Sequence, residues 1–314
     1  MANINKPDEL NPPDIGDESL RLMVELPEPE KEKFAKLVRK MRGDIIPSPT
    51  QIVDRALTAN SMLLNSVKGQ NNISEAIYTL RNDAYRLFLQ EEAKFNVQIV
   101  EYIGTNLHTP KRILNSIIEN NLTQGHKLSE IKDAVIHICG QYAGRIMPYI
   151  YVICQSNTQS RRARAGEAFE QIIYKLYEIF NYPYDSQKKI GAQIFQDKGL
   201  GKKVDSVLPS IGAFETRRDK VIVGTMKTTL RERWQEVVEE IERTKIPKIY
   251  LLTADDDIAM NKTLEMGKHN IVLVVYKAIK NKPELRPLRN IISFETYFLD
   301  EVPNELSYWK QGGQ

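Results

Sequence analysis

Val223-Gly-Thr-Met-Lys227-Thr-Thr-Leu-Arg231-Glu-Arg-Trp234 is the stretch on which the architecture turns. It closes an apolar run, residues 220–226, with the length and β-branched content of a buried strand. Past Lys227 the pattern changes. Leu230, Trp234, Val237, Val238 and Ile241 recur at a period near 3.6, which predicts an amphipathic helix from Thr228 onward, packed on a sheet. A strand that ends in a lysine and feeds a helix fits the open α/β arrangements, whose sites gather at strand ends.

Working outward, Lys203-Val-Asp205-Ser-Val-Leu-Pro209 alternates as a strand opening the same sheet. The link from Ser210 to Asp219 is too short for a parallel crossover helix unit and favours an antiparallel neighbour or a tight excursion. Downstream, residues 248–253 and 270–276 read as buried strands with a helix at 258–267 between them, an order that implies a parallel pair. Upstream the chain is helical in pattern at 30–41, 50–67, 74–102, 110–119, 129–143 and 160–180. Ser48-Pro49-Thr50 and Thr109-Pro110 are helix-entry signals. Residues 1 to about 27, with Pro7, Pro12, Pro13 and several acids, predict an irregular arm. The expected organisation is a helical N-terminal region at 1–127 and a mixed α/β region at 128–314.

Asp205 and Lys227, at one end of neighbouring strands, offer a carboxylate and an ammonium side by side. Phosphodiester hydrolysis needs such a set: carboxylate oxygens for a divalent ion, a water activated beside it, and positive charge near the phosphate. On the helical wheel Glu240 lies nearer the apolar arc than Glu236 or Glu239, so it can look into the core edge, where a carboxylate is costly unless paired or metal-bound. A solvated helix carboxylate is the plainer alternative. Arg231 and Arg233 gain nothing from a helix N-terminus, although Glu232 does, so the two arginines point to a partner rich in acceptors. Arginine suits the O6/N7 edge of guanine, and glutamate accepts from the N4 amino group of cytosine.

Asp205, Lys227 and Glu240, spaced by 22 and 13 residues, stand beside Lys227-Thr-Thr-Leu-Arg-Glu-Arg and the upstream Thr158-Gln159-Ser-Arg-Arg-Ala-Arg-Ala-Gly166-Glu-Ala-Phe-Glu170. In these motifs the chain resembles the type II restriction endonucleases of the SsoII, EcoRII, PspGI and NgoMIV group, within the PD-(D/E)XK superfamily, over roughly residues 159–253. The resemblance implies a PD-(D/E)XK nuclease core, a central mixed sheet flanked by helices, behind a helical N-terminal region serving DNA contacts and dimerisation. It implies a homodimer that cuts double-stranded DNA with Mg²⁺ at palindromic CCGG, CCNGG or CCWGG cores, or at an extended site such as TCCNGGA, leaving 5′-phosphate and 3′-hydroxyl ends. A companion methyltransferase protecting host sites belongs to the same expectation.

Residue by residue, the resemblance implies Asp205 and Glu240 as Mg²⁺ ligands, Lys227 orienting the attacking water and stabilising the phosphate, and Glu170 as the accessory carboxylate. Arg231, Glu232 and Arg233 would read G·C pairs from the major groove, and Gln159 would touch them from the minor groove. The superfamily's usual acid two residues before the lysine is Thr225 here, and in the resembled group that carboxylate has moved to the following helix, the place of Glu240. Val204 stands where proline commonly precedes the aspartate; proline donates no ligand, so the metal site is not put in doubt.

Composition agrees without deciding. A chain of 314 residues with 41% apolar content can bury one large core or two smaller ones, and a formal charge of +3 means that DNA affinity must come from local clusters. Arg161, Arg162 and Arg164 form one, expected to touch the DNA backbone; Lys188, Lys189, Lys202 and Lys203 flank the proposed site, and any of these could be a solvated face. Cys139 and Cys154 form no paired motif, and the histidines at 108, 126, 137 and 269 lack metal-ligand spacing, which favours magnesium over zinc chemistry in a reducing cytoplasm. The first residues lack a basic and apolar signal region, and the apolar stretch 146–154 is short and holds Pro148, so neither secretion nor a membrane span is expected. Phe95 and Tyr102 could stack on an extruded base, though their spacing also suits a core. A rival reading takes Pro49-Thr-Gln-Ile-Val-Asp-Arg-Ala-Leu57 as the start of a helix-turn-helix module in a non-catalytic DNA-binding regulator; it leaves Asp205, Lys227 and Glu240 as coincidence.

Overall fold

The computed structural model describes residues 26–69, 72–121, 128–201, 203–231 and 233–311. The expected arm at 1–27 therefore lies outside the described residues, apart from its last two. The chain forms two compact units, one from the described parts of Met1–Ile46 with Gln90–Arg161, the other from Pro47–Leu89 with Arg162–Gln314.

The second unit holds a six-stranded sheet in the order β1 (Asp185–Ser186), β2 (Ser206–Leu208), β3 (Ile222–Lys227), β4 (Ile249–Thr253), β5 (Ile271–Val275) and β6 (Ile291–Ser293). The pairs β1–β2 and β2–β3 are antiparallel, and β3 through β6 run parallel. The short link after Leu208 does give an antiparallel neighbour, with the small helix Ile211–Thr216 as the excursion. The strand–helix–strand order gives the parallel pair β4–β5, across the helix Met260–Lys268. Every residue of β4 is buried, as are all of β3 but Lys227, the pattern of strands covered on both faces. The core extends from the sheet to Phe169, Ile172, Ile173 and Tyr177 of the helix Met147–Ile179, and to Phe294, Tyr297 and Phe298 near the C-terminus.

One glycine in β3 is required by close approach. Gly224 pairs with Ser206 across the β2–β3 ladder, and a Cβ built there would lie 2.6 Å from Ser206 Oγ. Local departures from the expected elements have identifiable causes. The single helix expected at 50–67 is two, Pro49–Ala59 and Ser61–Lys68, because Asn60 leaves helical backbone and its amide donates to Ala56 O and Asp83 Oδ2, both at 2.8 Å. The helix expected from Thr228 starts only at Arg233, so Leu230 and Arg231 belong to a turn. The helix expected at 160–180 begins far earlier, at Met147, with Pro148 in its first turn, where the missing N–H does no harm.

In the first unit the helix Glu28–Ile45 carries Phe34 and Val38 into a core with Tyr149, whose ring meets Phe34 edge-on at 5.0 Å. Glu92, 1% exposed, is held by Arg161 through Nε at 2.8 Å and lies 4.0 Å from Arg42 Nη1. Arg42 also donates to Ser156 Oγ and Asn157 Oδ1 and lies over the Phe95 ring at 4.5 Å. A buried carboxylate is tolerated only with such partners. Phe95 is closed into this core, which removes it as a base-stacking surface. No described helix is long and apolar enough to cross a membrane.

Candidate active site

Asp205 sits one residue ahead of β2 and already joins the ladder, its N–H donating to Gly224 O at 2.9 Å. The antiparallel register places it across from the end of β3. Its Oδ2 accepts from Met226 N at 2.6 Å and Thr225 Oγ1 at 3.3 Å, and Lys227 Nζ lies 3.7 Å away. Both side chains are mostly enclosed, with 15% of Lys227 and 16% of Asp205 exposed. Burial pushes the Asp205 carboxyl up, against the pull of Lys227 and the Met226 amide.

Glu170 reaches the same place from the helix Met147–Ile179. Burial, followed by the negative charge of Asp205, pushes its carboxyl up to about 7, while Lys227 and Lys188 draw it down. Two carboxylates and an ammonium are therefore electrostatic neighbours here. One helical turn on, Tyr174 donates its hydroxyl to Asp205 O at 3.0 Å, and burial together with Asp205 and Glu170 keeps that hydroxyl protonated. Sequence reasoning missed Tyr174; its signal was the i, i+4 spacing from Glu170 on an apolar helix face. Thr225 and Lys188 were likewise not assigned to Asp205 and Glu170; Thr225 is marked in the sequence only as standing where the superfamily's usual acid falls, and Lys188 only as one of the lysines flanking the site.

The remaining candidates fall in other places. Glu240 is 6% exposed on the helix Arg233–Thr244, paired with Arg243, and packed so closely on Gly201 that a Cβ built there would lie on its carboxylate. Its ion pair is with Arg243, whereas Asp205 pairs with Lys227. Arg231 is exposed, in a turn at φ 33°, rather than in a helical first turn. Glu232 lies outside the described residues, as does the side chain of Arg233. Gln159 and Arg162 are exposed; Arg164 donates to Pro47 O at 2.6 Å, and Arg161 is taken up by Glu92. A cavity of about 700 Å³ opens beside Thr228 and Thr229, walled by Tyr78, Arg81, Asp255 and Tyr276.

The donor set can hold a small hard cation. Asp205 and Glu170 offer oxygens in a place where their negative charges oppose one another, which a divalent ion would relieve, and Mg²⁺ commonly takes one or two carboxylates, keeping waters elsewhere. No trio of His, Cys, Asp or Glu side chains among the described residues is gathered as a closed metal cage.

Comparison with known proteins gives a consistent result. Residues 137–298 match the family described as EcoRII C terminal. The chain is 33% identical over 212 residues to the type II restriction enzyme SsoII of Shigella sonnei, a match covering 68% of this chain and 62% of that enzyme. It thus spans under two thirds of that relative's length. Among solved structures, metal-depleted Ecl18kI in complex with uncleaved, modified DNA is similar at a TM-score of 0.67 and 28% identity, covering 89% of this chain and 85% of the other. Restriction endonuclease PspGI in a substrate DNA complex, 18% identical at a TM-score of 0.53, covers 83% of this chain and 94% of its own and shares the fold.

Proposed function

The chain belongs to the EcoRII C-terminal family, and from that premise we propose that it is a type II restriction endonuclease cutting both strands of a palindromic site with a CCGG or CCNGG-type core, in a Mg²⁺-dependent reaction. The observation that carries this reading is the convergence of Asp205, Glu170 and Lys227 at the strand ends of the sheet. No fold requirement explains two like-charged carboxylates enclosed together; a shared cation does.

Asp205 and Glu170 would hold Mg²⁺, with Glu240 as the further carboxylate that the family pattern assigns, once it exchanges Arg243 for that role. The bound ion supplies Lewis acidity and a water of lowered pKa. Lys227, already within reach of Asp205, orients the attacking water and balances charge on the scissile phosphate. Met226 N–H and Thr225 hold Asp205 in one rotamer, so one carboxylate edge is committed before DNA arrives. Attack at phosphorus with loss of the 3′-oxygen leaves 5′-phosphate and 3′-hydroxyl ends. Arg231, Glu232 and Arg233 read G·C pairs in the major groove, Gln159 touches them from the minor groove, and Arg161, Arg162 and Arg164 follow the backbone. A palindrome is matched by two-fold symmetry, so the working unit is a homodimer with one strand cut per subunit, and host sites are protected by a companion methyltransferase.

Purified protein incubated with mixed-sequence DNA in EDTA, Ca²⁺ and Mg²⁺ tests the reading. Discrete fragments are expected only with Mg²⁺, and Asp205→Asn and Lys227→Ala should bind DNA but leave it whole. Binding with no ion requirement and intact strands throughout would instead mark a regulator.

A further inference from the structure

We infer that Asp255 is a positioning residue for sequence discrimination, fixing the turn that presents Arg231 to the bases; this rests on the endonuclease reading above. β3 and β4 run parallel with Lys227 beside Thr253, so the segments that leave the two strands emerge next to each other. Two residues past Thr253, Asp255 reaches back across this gap. Its Oδ2 accepts from Leu230 N at 2.7 Å.

Asp255 is itself well anchored. Its Oδ1 accepts from Asp257 N at 3.1 Å, and its own N–H donates to Thr253 Oγ1 at 3.1 Å. A carboxylate held at both ends is a rigid acceptor, and hydrogen bonds to a charged group are the stronger kind. The Leu230 side chain, 3% exposed, pins the same residue from the other side by burial in the core.

The next residue shows what the two pins do. Arg231 has φ 33°, a left-handed backbone that costs a residue with a Cβ about 1–2 kcal/mol and persists only where its surroundings over-determine it. Without the Asp255 acceptor the Leu230 amide loses its partner, and one of the two restraints that hold Arg231 at positive φ is gone. Relaxation to negative φ redirects the Arg231 side chain and the start of the helix Arg233–Thr244. The hydrogen bonds of Asp255 run to Leu230, Thr253 and Asp257, while those of Asp205 run to Met226 and Thr225, so a change at Asp255 is expected to move the aim more than the chemistry.

The test uses the whole 314-residue chain, the duplex that wild type cleaves, and the same duplex with one core G·C pair changed to A·T. Dissociation constants are measured in Ca²⁺ for wild type, Asp255→Ala, Asp255→Asn, Arg231→Ala and the Asp255→Ala/Arg231→Ala double variant, and KM and kcat in Mg²⁺. Asp255→Ala should lower discrimination about tenfold, raise KM more than it lowers kcat, and add little to Arg231→Ala in the double variant. Asp255→Asn keeps one carbonyl acceptor, which can serve Leu230 N–H once the Asp257 contact is given up, and should restore discrimination to within about threefold. If Arg231→Ala loses discrimination and Asp255→Ala keeps it, the role of Asp255 is overturned and the base-reading assignment stands. If Arg231→Ala itself keeps discrimination, the base-reading assignment fails and the inference with it. Equal weakening on both duplexes by Asp255→Ala, with no recovery in Asp255→Asn, would show a structural role only and also overturn it.

Discussion

Replacing Glu170 with Gln should stabilise the metal-free protein at alkaline pH and leave its stability nearly unchanged at acidic pH. In the folded chain burial and Asp205 raise this carboxyl from 4.5 to about 7. Below pH 4.5 the folded and unfolded states are both protonated and the shift has no effect. Between 4.5 and 7 the folded state keeps a proton that the unfolded state has released, so wild-type stability falls as pH rises through that window. At 1.36 kcal/mol per pKa unit the full penalty approaches ~3 kcal/mol by pH 8, and relaxation with partial solvent access reduces it to about 1–3 kcal/mol. Glutamine mimics the protonated acid and carries no such penalty. Urea denaturation in EDTA at pH 5 and pH 8 reads the difference, provided the slopes of the two proteins agree. The variant should gain little at pH 5 and clearly more at pH 8. With Ca²⁺ present the order should reverse, because an ion that binds the folded wild type stabilises it in proportion to the logarithm of its concentration. A gain independent of pH, or a variant less stable than wild type at pH 8 in EDTA, would show that the raised Glu170 carboxyl does not set this pH dependence.

Gly224→Ala places a methyl group 2.6 Å from the buried Ser206 Oγ and should destabilise by about 1–3 kcal/mol, read as a shift of the urea midpoint with an unchanged slope. Gly201 has φ 75° and lies under the Glu240 carboxylate; Gly201→Ala should cost at least ~1 kcal/mol and weaken Ca²⁺ binding by titration calorimetry, whereas unchanged Ca²⁺ affinity would separate Glu240 from the metal site.

The elements that positioned the site were legible wherever pattern and connection were local. Lys227 could be placed at a strand end because the apolar run before it and the helical period after it meet there, and the short link to β2 brought Asp205 alongside. The helix start was misplaced because the deciding partner, Asp255, lies 25 residues further on and no local cue announces it. Asn60 was hidden in the same way: the apolar period runs straight through it, and its break depends on Asp83. Glu170 had no signal of its own beyond the family likeness, since its meeting with Asp205 is a long-range contact that only the packed helix creates. For Glu240, position on the wheel anticipated burial, while the pairing with Arg243 one turn later was readable from the sequence but not weighed.

The Asp205, Glu170 and Lys227 cluster is proposed to cut DNA at a palindromic core. Digestion of a fully sequenced phage DNA with the purified chain in Mg²⁺, followed by sequencing of the fragment ends, addresses it most directly. A single set of 5′-phosphorylated ends is expected, all sharing one palindrome with a CC/GG core, and none in EDTA. Intact DNA in Mg²⁺, on phage genomes containing CCGG and CCNGG cores in every flanking context, or ends scattered without a common sequence, would contradict it.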